Sequence, residues 1–318
     1  MKKQISVKKP VRLVAAALVL SALAGIGLYS VFDQKVERTL ESVTYEPEAE
    51  AVTRSGGYEP DGRVHSYLFL GVDDAGQSYE DYGRGGRTDT MLLLVKDGSD
   101  VRILEISRDT MTEVDAYDTA GDYLSTGVMQ INMQYAFGDS PRRSAYLTKR
   151  TVSRLLGGVE IDGAIALNMS GIAPIVDALG GIDVHMEEDC SKIDPAYTAG
   201  ADIHMDGKAA ERFIRWRDPT VGAGSNDGRM SRHTWFIRQM VEKADGDSIE
   251  KLLEASEPYL NTDLTAEELK ALTECRVVET LRLPGEARAG AQHEEFYVDE
   301  EALQELVMKL FYTPKGTT

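Results

Sequence analysis

The sequence predicts an α/β fold, a mixed central sheet flanked by helices (α-β-α), preceded by one N-terminal transmembrane helix. Three observations predict it. Short, almost unbroken apolar runs such as VHSYLFLGV, TMLLLV and VRILEIS suit strands buried on both faces of a sheet. Segments of helical spacing alternate with strand-like runs to the end of the chain, the order expected of a layered α/β domain. Leu13 to Phe32 carry no charge, and about twenty apolar residues at ~1.5 Å rise span a hydrocarbon core roughly 30 Å thick.

Lys2, Lys3, Lys8, Lys9 and Arg12 precede that span. Residues 1–12 are therefore expected to form a cytoplasmic basic segment. Residues 13–32 form a single-pass signal anchor in the cell membrane, longer than the apolar core of a cleaved signal peptide, and the rest lies outside the cell. Residues 33–62 are polar, acidic and without sustained periodicity, and read as an extracellular stalk. The folded domain is expected over 63–312, with 313–318 as a tail. Its strands begin at Val64, and Lys-Asp-Gly-Ser-Asp between the second and third runs signals a hairpin with Asp97-Gly98 as the turn. A helix is expected over 142–156. Residues 161–168 and 182–186 read as strands around a short helix at 171–179 that ends at Gly180-Gly181, a βαβ-like step. Helical spacing returns over 209–215, 230–244, 249–260, 266–274 and 300–311, with a late strand over 276–283.

The whole chain has 35 basic and 53 acidic residues. Without the five N-terminal basic residues the outer part keeps 30 against 53, a net charge of −23. Such a surface repels nucleic acid, which excludes a nucleic-acid partner. Cys190 and Cys275 are expected to be separate small core residues rather than a disulfide, and neither spacing suggests zinc.

The charged constellations carry the chemistry. With Asp97-Gly98 as the turn, Arg87 would face Arg108 and Asp89 would face Ile106, so that Arg87-Thr88-Asp89 and Ser107-Arg108-Asp109 meet at one end of the sheet. Asp73-Asp74, ending the first strand, would join them. Two arginines face to face call for an anion between them, and paired carboxylates suit Mg²⁺, which takes one or two of them together with ligand phosphates. Residues 212–238 hold Arg212, Arg215, Arg217, Arg229, Arg232 and Arg238 and no lysine. Arginine's planar fork binds phosphate bidentately. His233 is a weak candidate for a general base, a lone histidine being more often structural.

These pieces in this order resemble the LytR-CpsA-Psr family of Gram-positive cell-wall enzymes. The matching stretches are FLGVDD (69–74), GRTDTMLLL (86–94), ISRDTM (106–111), QINMQYAFG (130–138), IVDALGGIDV (175–184), MDGKAAERFIRWR (205–217) and DGRMSR (227–232). The resemblance implies transfer of a glycopolymer, such as teichoic acid, from a polyprenyl-diphosphate carrier in the membrane bilayer to peptidoglycan. It implies that Asp73 and Asp89 are the Mg²⁺-associated carboxylates, and that Arg87, Arg108, Arg215, Arg217, Arg229 and Arg232 grip the diphosphate. Asp89, Arg108 and Asp73 are then the catalytic residues. Ser107 and His233 depart from the proline and glutamine usual in the family at those positions. Two rival functions use the same residues: a non-catalytic sensor of lipid-linked precursors, and a polyprenyl-diphosphate phosphatase.

Overall fold

The computed structural model describes residues 57–73, 85–216, 254–273, 275–290 and 293–316, together with Arg232, His233 and Phe236. The expected transmembrane span, residues 33–56 of the stalk, and all of the helix at 230–244 except Arg232, His233 and Phe236 lie outside these residues. No helix among the described residues is long and apolar enough to cross a membrane.

In chain order the strands are β1 (Tyr58–Pro60), β2 (Val64–Asp73), β3 (Arg87–Asp97), β4 (Asp100–Ile106), β5 (Met111–Tyr117), β6 (Tyr123–Gln130), β7 (Gly163–Asn168), β8 (Ile182–His185), β9 (Asp202–Met205), β10 (Leu260–Thr262), β11 (Arg276–Arg282), β12 (Gly285–Ala289), β13 (Glu294–Val298) and β14 (Tyr312–Pro314). The helices are α1 (Met133–Ala136), α2 (Pro141–Leu155), α3 (Ile172–Ala178), α4 (Gly207–Arg215), α5 (Ala266–Thr273) and α6 (Glu300–Phe311).

A six-stranded sheet in the order β10-β7-β2-β3-β4-β11 forms the centre. Strands β2 and β7 run parallel, as do β4 and β11, and the other neighbours are antiparallel, so the sheet is mixed as expected. Alternation along the central strands divides their side chains between two cores. Leu68, Leu70, Met91, Leu93 and Leu104 pack with Ala145 and Val152 of α2 and Leu303 and Val307 of α6. Tyr67, Phe69, Leu92, Leu94 and Ile103 pack with Leu269 and Leu272 of α5. Both faces are covered, which is why these strands read as continuous apolar runs.

The helices begin where capping chemistry allows. Ser140 accepts from the Arg143 amide at 3.3 Å ahead of Pro141, and Asp206 and Asp299 do the same for Ala209 and Ala302. Gly180 and Gly181 follow α3 with φ of 72° and 90°, the left-handed conformation expected of that ending.

Two expectations are corrected. The βαβ-like step does not occur: β7 joins the central sheet, whereas β8 pairs with β9 in a separate two-stranded ribbon. Ile182 and Val184 are buried while Asp183 and His185 are exposed, the alternation of a ribbon with one wet face rather than of a doubly buried strand. The folded part also reaches further at both ends than 63–312, because β1 pairs with β14 and so ties together residues read as stalk and tail.

A third core joins α3, α4, β8 and β9 and contains Cys190, whereas Cys275 lies in the core on the α5 face. The two cysteines are not joined in a disulfide and both are buried. Burial pushes the Cys190 thiol up, against the opposing pull of Arg232. Iodoacetamide is expected to modify neither thiol in the native protein and both after unfolding, read by intact mass; rapid native labelling of either would contradict this placement.

Candidate functional site

The C-terminal ends of β2 and β4 and the N-terminal end of β3 lie at one edge of the sheet, and there the charged residues gather. The hairpin that sets their register turns at Gly98-Ser99, with Asp97 paired to Asp100, not at Asp97-Gly98. Gly98 takes the first central position with φ 58°, where a tight hairpin turn demands glycine. Moving the turn by one residue moves each partner by two, so Met91 faces Ile106. The expected pairing of Arg87 with Arg108 and of Asp89 with Ile106 is thereby overturned. Continued past the last ladder pair, the register sets Asp89 level with Arg108, and the Arg108 Nη1 donates to Asp89 Oδ1.

A second local feature aims Asp89. In the β2–β3 ladder Gly71 pairs with Thr90 and Val72 with Thr88, which leaves Asp89 as the extra residue of a bulge. Bulges bend a strand and redirect one side chain, and they concentrate beside active sites. Arg108 is held on its other side by Asp109, whose Oδ1 lies 3.3 Å from the Arg108 Nε. All three side chains are at least nine-tenths buried. Asp109 belongs to the carboxylates the sequence brings to this edge, and its burial against the guanidinium is visible only in the fold.

The α4 helix delivers the next pair. Arg215, its last residue, donates from Nη1 to Asp73 Oδ1 at 2.6 Å and from Nε to Glu211 Oε1 at 2.9 Å. Burial works to lower the Arg215 pKa, but these two carboxylates outweigh it and hold it above the ordinary value. Asp73 and Arg87 are ladder partners, so this pair stands beside the Arg108 group. Arg87 is exposed, its Nη1 3.9 Å from the Met133 sulfur. Arg232 donates from Nη2 to the Trp216 carbonyl at 2.7 Å and lies over the Trp216 ring at 5.3 Å. Arg217 and Arg229 lie outside the described residues. The structure thus brings Asp73, Asp89, Arg87, Arg108 and Arg215 to one sheet edge.

His233 is buried and engaged at both nitrogens, Nε2 donating to the Ile214 carbonyl at 3.0 Å and Nδ1 meeting the Thr90 hydroxyl. It ties the end of α4 to β3, a structural role in place of a general base. Ser107 accepts through its carbonyl from the Thr110 amide and hydroxyl, shaping the turn that carries Arg108.

Sequence reading assigns no role to three further polar residues. Gln130 donates from Nε2 to Asp109 Oδ1 at 2.8 Å and to the Glu294 carbonyl at 2.8 Å. Among the described residues, the Asn132 carboxamide and the Thr88 hydroxyl are buried without a hydrogen-bond partner. Only the position of Gln130 and Asn132 inside QINMQYAFG marked them beforehand.

Asp73 and Asp89 lie on adjacent strands and would offer hard oxygen donors to a magnesium ion; no group of three or more His, Cys, Asp or Glu forms a metal cage among the described residues. Magnesium suits such a sparse set because it keeps several waters and takes further oxygens from phosphate.

The sequence profile of the LytR_cpsA_psr family matches residues 28–311. The chain is 30% identical over 302 residues to the polyisoprenyl-teichoic acid–peptidoglycan teichoic acid transferase TagU of Bacillus anthracis, covering 90% of this chain and 91% of that protein. The crystal structure of Bacillus subtilis TagU shares the fold with a TM-score of 0.54 at 23% identity, over 78% of this chain and 95% of the other. TagT bound to LI-WTA does so with a TM-score of 0.57 at 21% identity, over 81% and 94%. The profile match spans most of the sequence, and the mixed sheet with its flanking helices agrees with it: the chain belongs to the LytR-CpsA-Psr family.

Proposed function

We propose that this protein is a phosphotransferase that attaches a glycopolymer of the teichoic acid type, carried on a polyprenyl diphosphate, to peptidoglycan. The observation that carries this reading is the buried Arg108 clamped between Asp89 and Asp109 beside the Asp73–Arg215 pair. Structural ion pairs are usually scattered over a surface; this cluster is concentrated at one sheet edge and partly sealed from water. The names of the relatives support the substrate class.

The charges also bear on the cofactor. Arg87, Arg108 and Arg215 are matched by Asp73, Asp89 and Asp109, and Glu211 on Arg215 adds a fourth carboxylate, so this group alone offers a diphosphate no net attraction. Asp73 and Asp89 would hold a magnesium ion, which would supply the missing positive charge. Arg87, Arg108, Arg215, Arg217, Arg229 and Arg232 together grip the phosphates. A sugar hydroxyl of peptidoglycan attacks the glycan-linked phosphorus, the bond from that phosphorus to the polyprenyl phosphate breaks, and the hydroxyl proton passes to Asp89 or Asp73. Positioning and charge stabilisation account for most of the rate in such transfers. The N-terminal span at 13–32 holds the enzyme at the membrane, where its carrier lies, with the folded domain outside.

Full-length protein in nanodiscs tests this with a synthetic polyprenyl-diphosphate-linked disaccharide and peptidoglycan. A wall-linked glycan phosphate is expected, with the rate falling ~100-fold or more in EDTA and restored by magnesium. Free glycan phosphate in place of the linked product would make the protein a phosphatase. Binding without turnover would make it a sensor, and full activity in EDTA would remove the metal from the mechanism.

A further inference from the structure

We propose that Gln130 and Asp109 are positioning residues that fix the orientation of the Arg108 guanidinium, an assignment that rests on the transferase reading above. Five hydrogen-bond donors surround the guanidinium plane, and which of them face the substrate depends on how that plane is turned. Asp89 accepts from Nη1 and the Asp109 Oδ1 lies 3.3 Å from Nε, so the guanidinium plane is held at two of its edges. Asp109 is in turn pinned. Its Oδ1 accepts from Gln130 Nε2 at 2.8 Å, and the same nitrogen donates to the Glu294 carbonyl at 2.8 Å. Both partners are pure acceptors, so the amide orientation is dictated by chemistry and both of its hydrogens are used.

The support reaches into the backbone. The Phe296 amide donates to the Asp109 carbonyl at 2.8 Å, the Ile131 amide to Thr110 at 2.8 Å and the Asn132 amide to Arg108 at 3.3 Å. Strand β13 and the start of α1 thus hold the segment 108–110 from two sides, and Gln130 ties the side-chain network to both. Gln130 and Asp109 act through Arg108 and are not catalytic residues themselves. Such supporting shells decide whether a charged group sits within the tolerance that transfer requires.

The test uses the full-length chain and the transfer assay. Gln130→Met keeps the side-chain volume and removes both donors. It is expected to lower kcat by about tenfold or more while KM changes less than about threefold. Gln130→Lys, whose ammonium can donate to the same two acceptors, recovers most of that loss. In an Arg108→Lys background Gln130→Met adds nothing further, because the group it positions is gone. A Gln130→Met protein that turns over at the wild-type rate overturns the proposal, as does a loss that multiplies undiminished in the Arg108→Lys background. Should Gln130→Met fail to fold, Asp109→Asn is read in the same cycle. A wild-type chain without transfer activity counts against the transferase reading alone. Affinity for geranyl diphosphate in magnesium then replaces kcat: weakening by Gln130→Met only when Arg108 is present supports the positioning role, and unchanged affinity overturns it.

Discussion

Replacing Arg108 with alanine is expected to abolish transfer and to lower stability together, the second by about 3–5 kcal/mol. The side chain is only 8% exposed and its two partners, Asp89 and Asp109, are 6% and 9% exposed. Alanine would leave two buried carboxylates next to each other with their shared cation removed. Activity and folding are therefore entangled at this residue, and loss of transfer in Arg108→Ala does not by itself assign a catalytic role. Two further variants separate them. Arg108→Lys keeps the charge but offers a compact ammonium where a planar fork was needed; transfer should fall ~100-fold with a stability loss of about 1–3 kcal/mol. A triple change, Asp89→Asn, Asp109→Asn and Arg108→Met, removes all three charges at once and should return much of the lost stability with no transfer. The measurements are thermal unfolding followed by tryptophan fluorescence and the transfer assay on the same preparations. Wild-type stability in Arg108→Ala would show that the buried cluster is not as described, and measurable transfer by the triple variant would remove Arg108 from the chemistry.

The sequence displayed this cluster only in outline, for reasons that differ residue by residue. The central strands were legible because burial on both faces leaves an unbroken apolar run, as in TMLLLV. Helix α6 was legible to its ends, Glu300 and Phe311, because Asp299 caps a regular amphipathic stretch. The β5–β6 hairpin was not, since Tyr123, Leu124 and Val128 are 57%, 60% and 65% exposed and a solvated strand writes no pattern of burial. At the site, the convergence of Arg87, Asp89, Arg108 and Asp73 on one sheet edge followed from strand order, which composition could suggest. Which of them touch did not follow, because it turns on a one-residue choice between Asp97-Gly98 and Gly98-Ser99. That choice reverses the electrostatic inference. Two facing arginines would have demanded an anion between them, whereas Arg108 facing Asp89 is locally balanced and leaves the need for positive charge to be met from elsewhere. Gln130 could not be found by any spacing rule, since its partners lie 21 and 164 residues away.

The largest effect from outside the charged cluster is expected at Gly207, where alanine should lower stability by about 1–3 kcal/mol and transfer by ~10–100-fold. Helix propensity argues the opposite sign, because alanine in a helix interior is usually the better residue by about 0.5–1 kcal/mol. Packing decides the outcome. Gly207 opens α4 against α3, and a Cβ there would lie 2.7 Å from the Ala173 carbonyl carbon and closer still to its oxygen. These are backbone atoms that cannot rotate aside, so α4 must shift away by about 1 Å to reach ordinary contact. The shift pulls the Gly207 amide from Asp177 Oδ1, now at 2.7 Å, and opens the third core. It also moves the far end of the helix, where Arg215 meets Asp73 at 2.6 Å and the Ile214 carbonyl meets His233. Transfer should consequently fall by more than the lost stability explains when both are measured well below the unfolding temperature. Gly62→Ala is the control: no atom lies within 4 Å of a Cβ placed there and its φ is not in the left-handed region, so both properties should stay at wild type. A Gly207→Ala protein with unchanged unfolding temperature would mean that α3 and α4 do not approach this closely. One that is destabilised but transfers normally would mean that the Arg215–Asp73 pair tolerates displacement and does not position the phosphates.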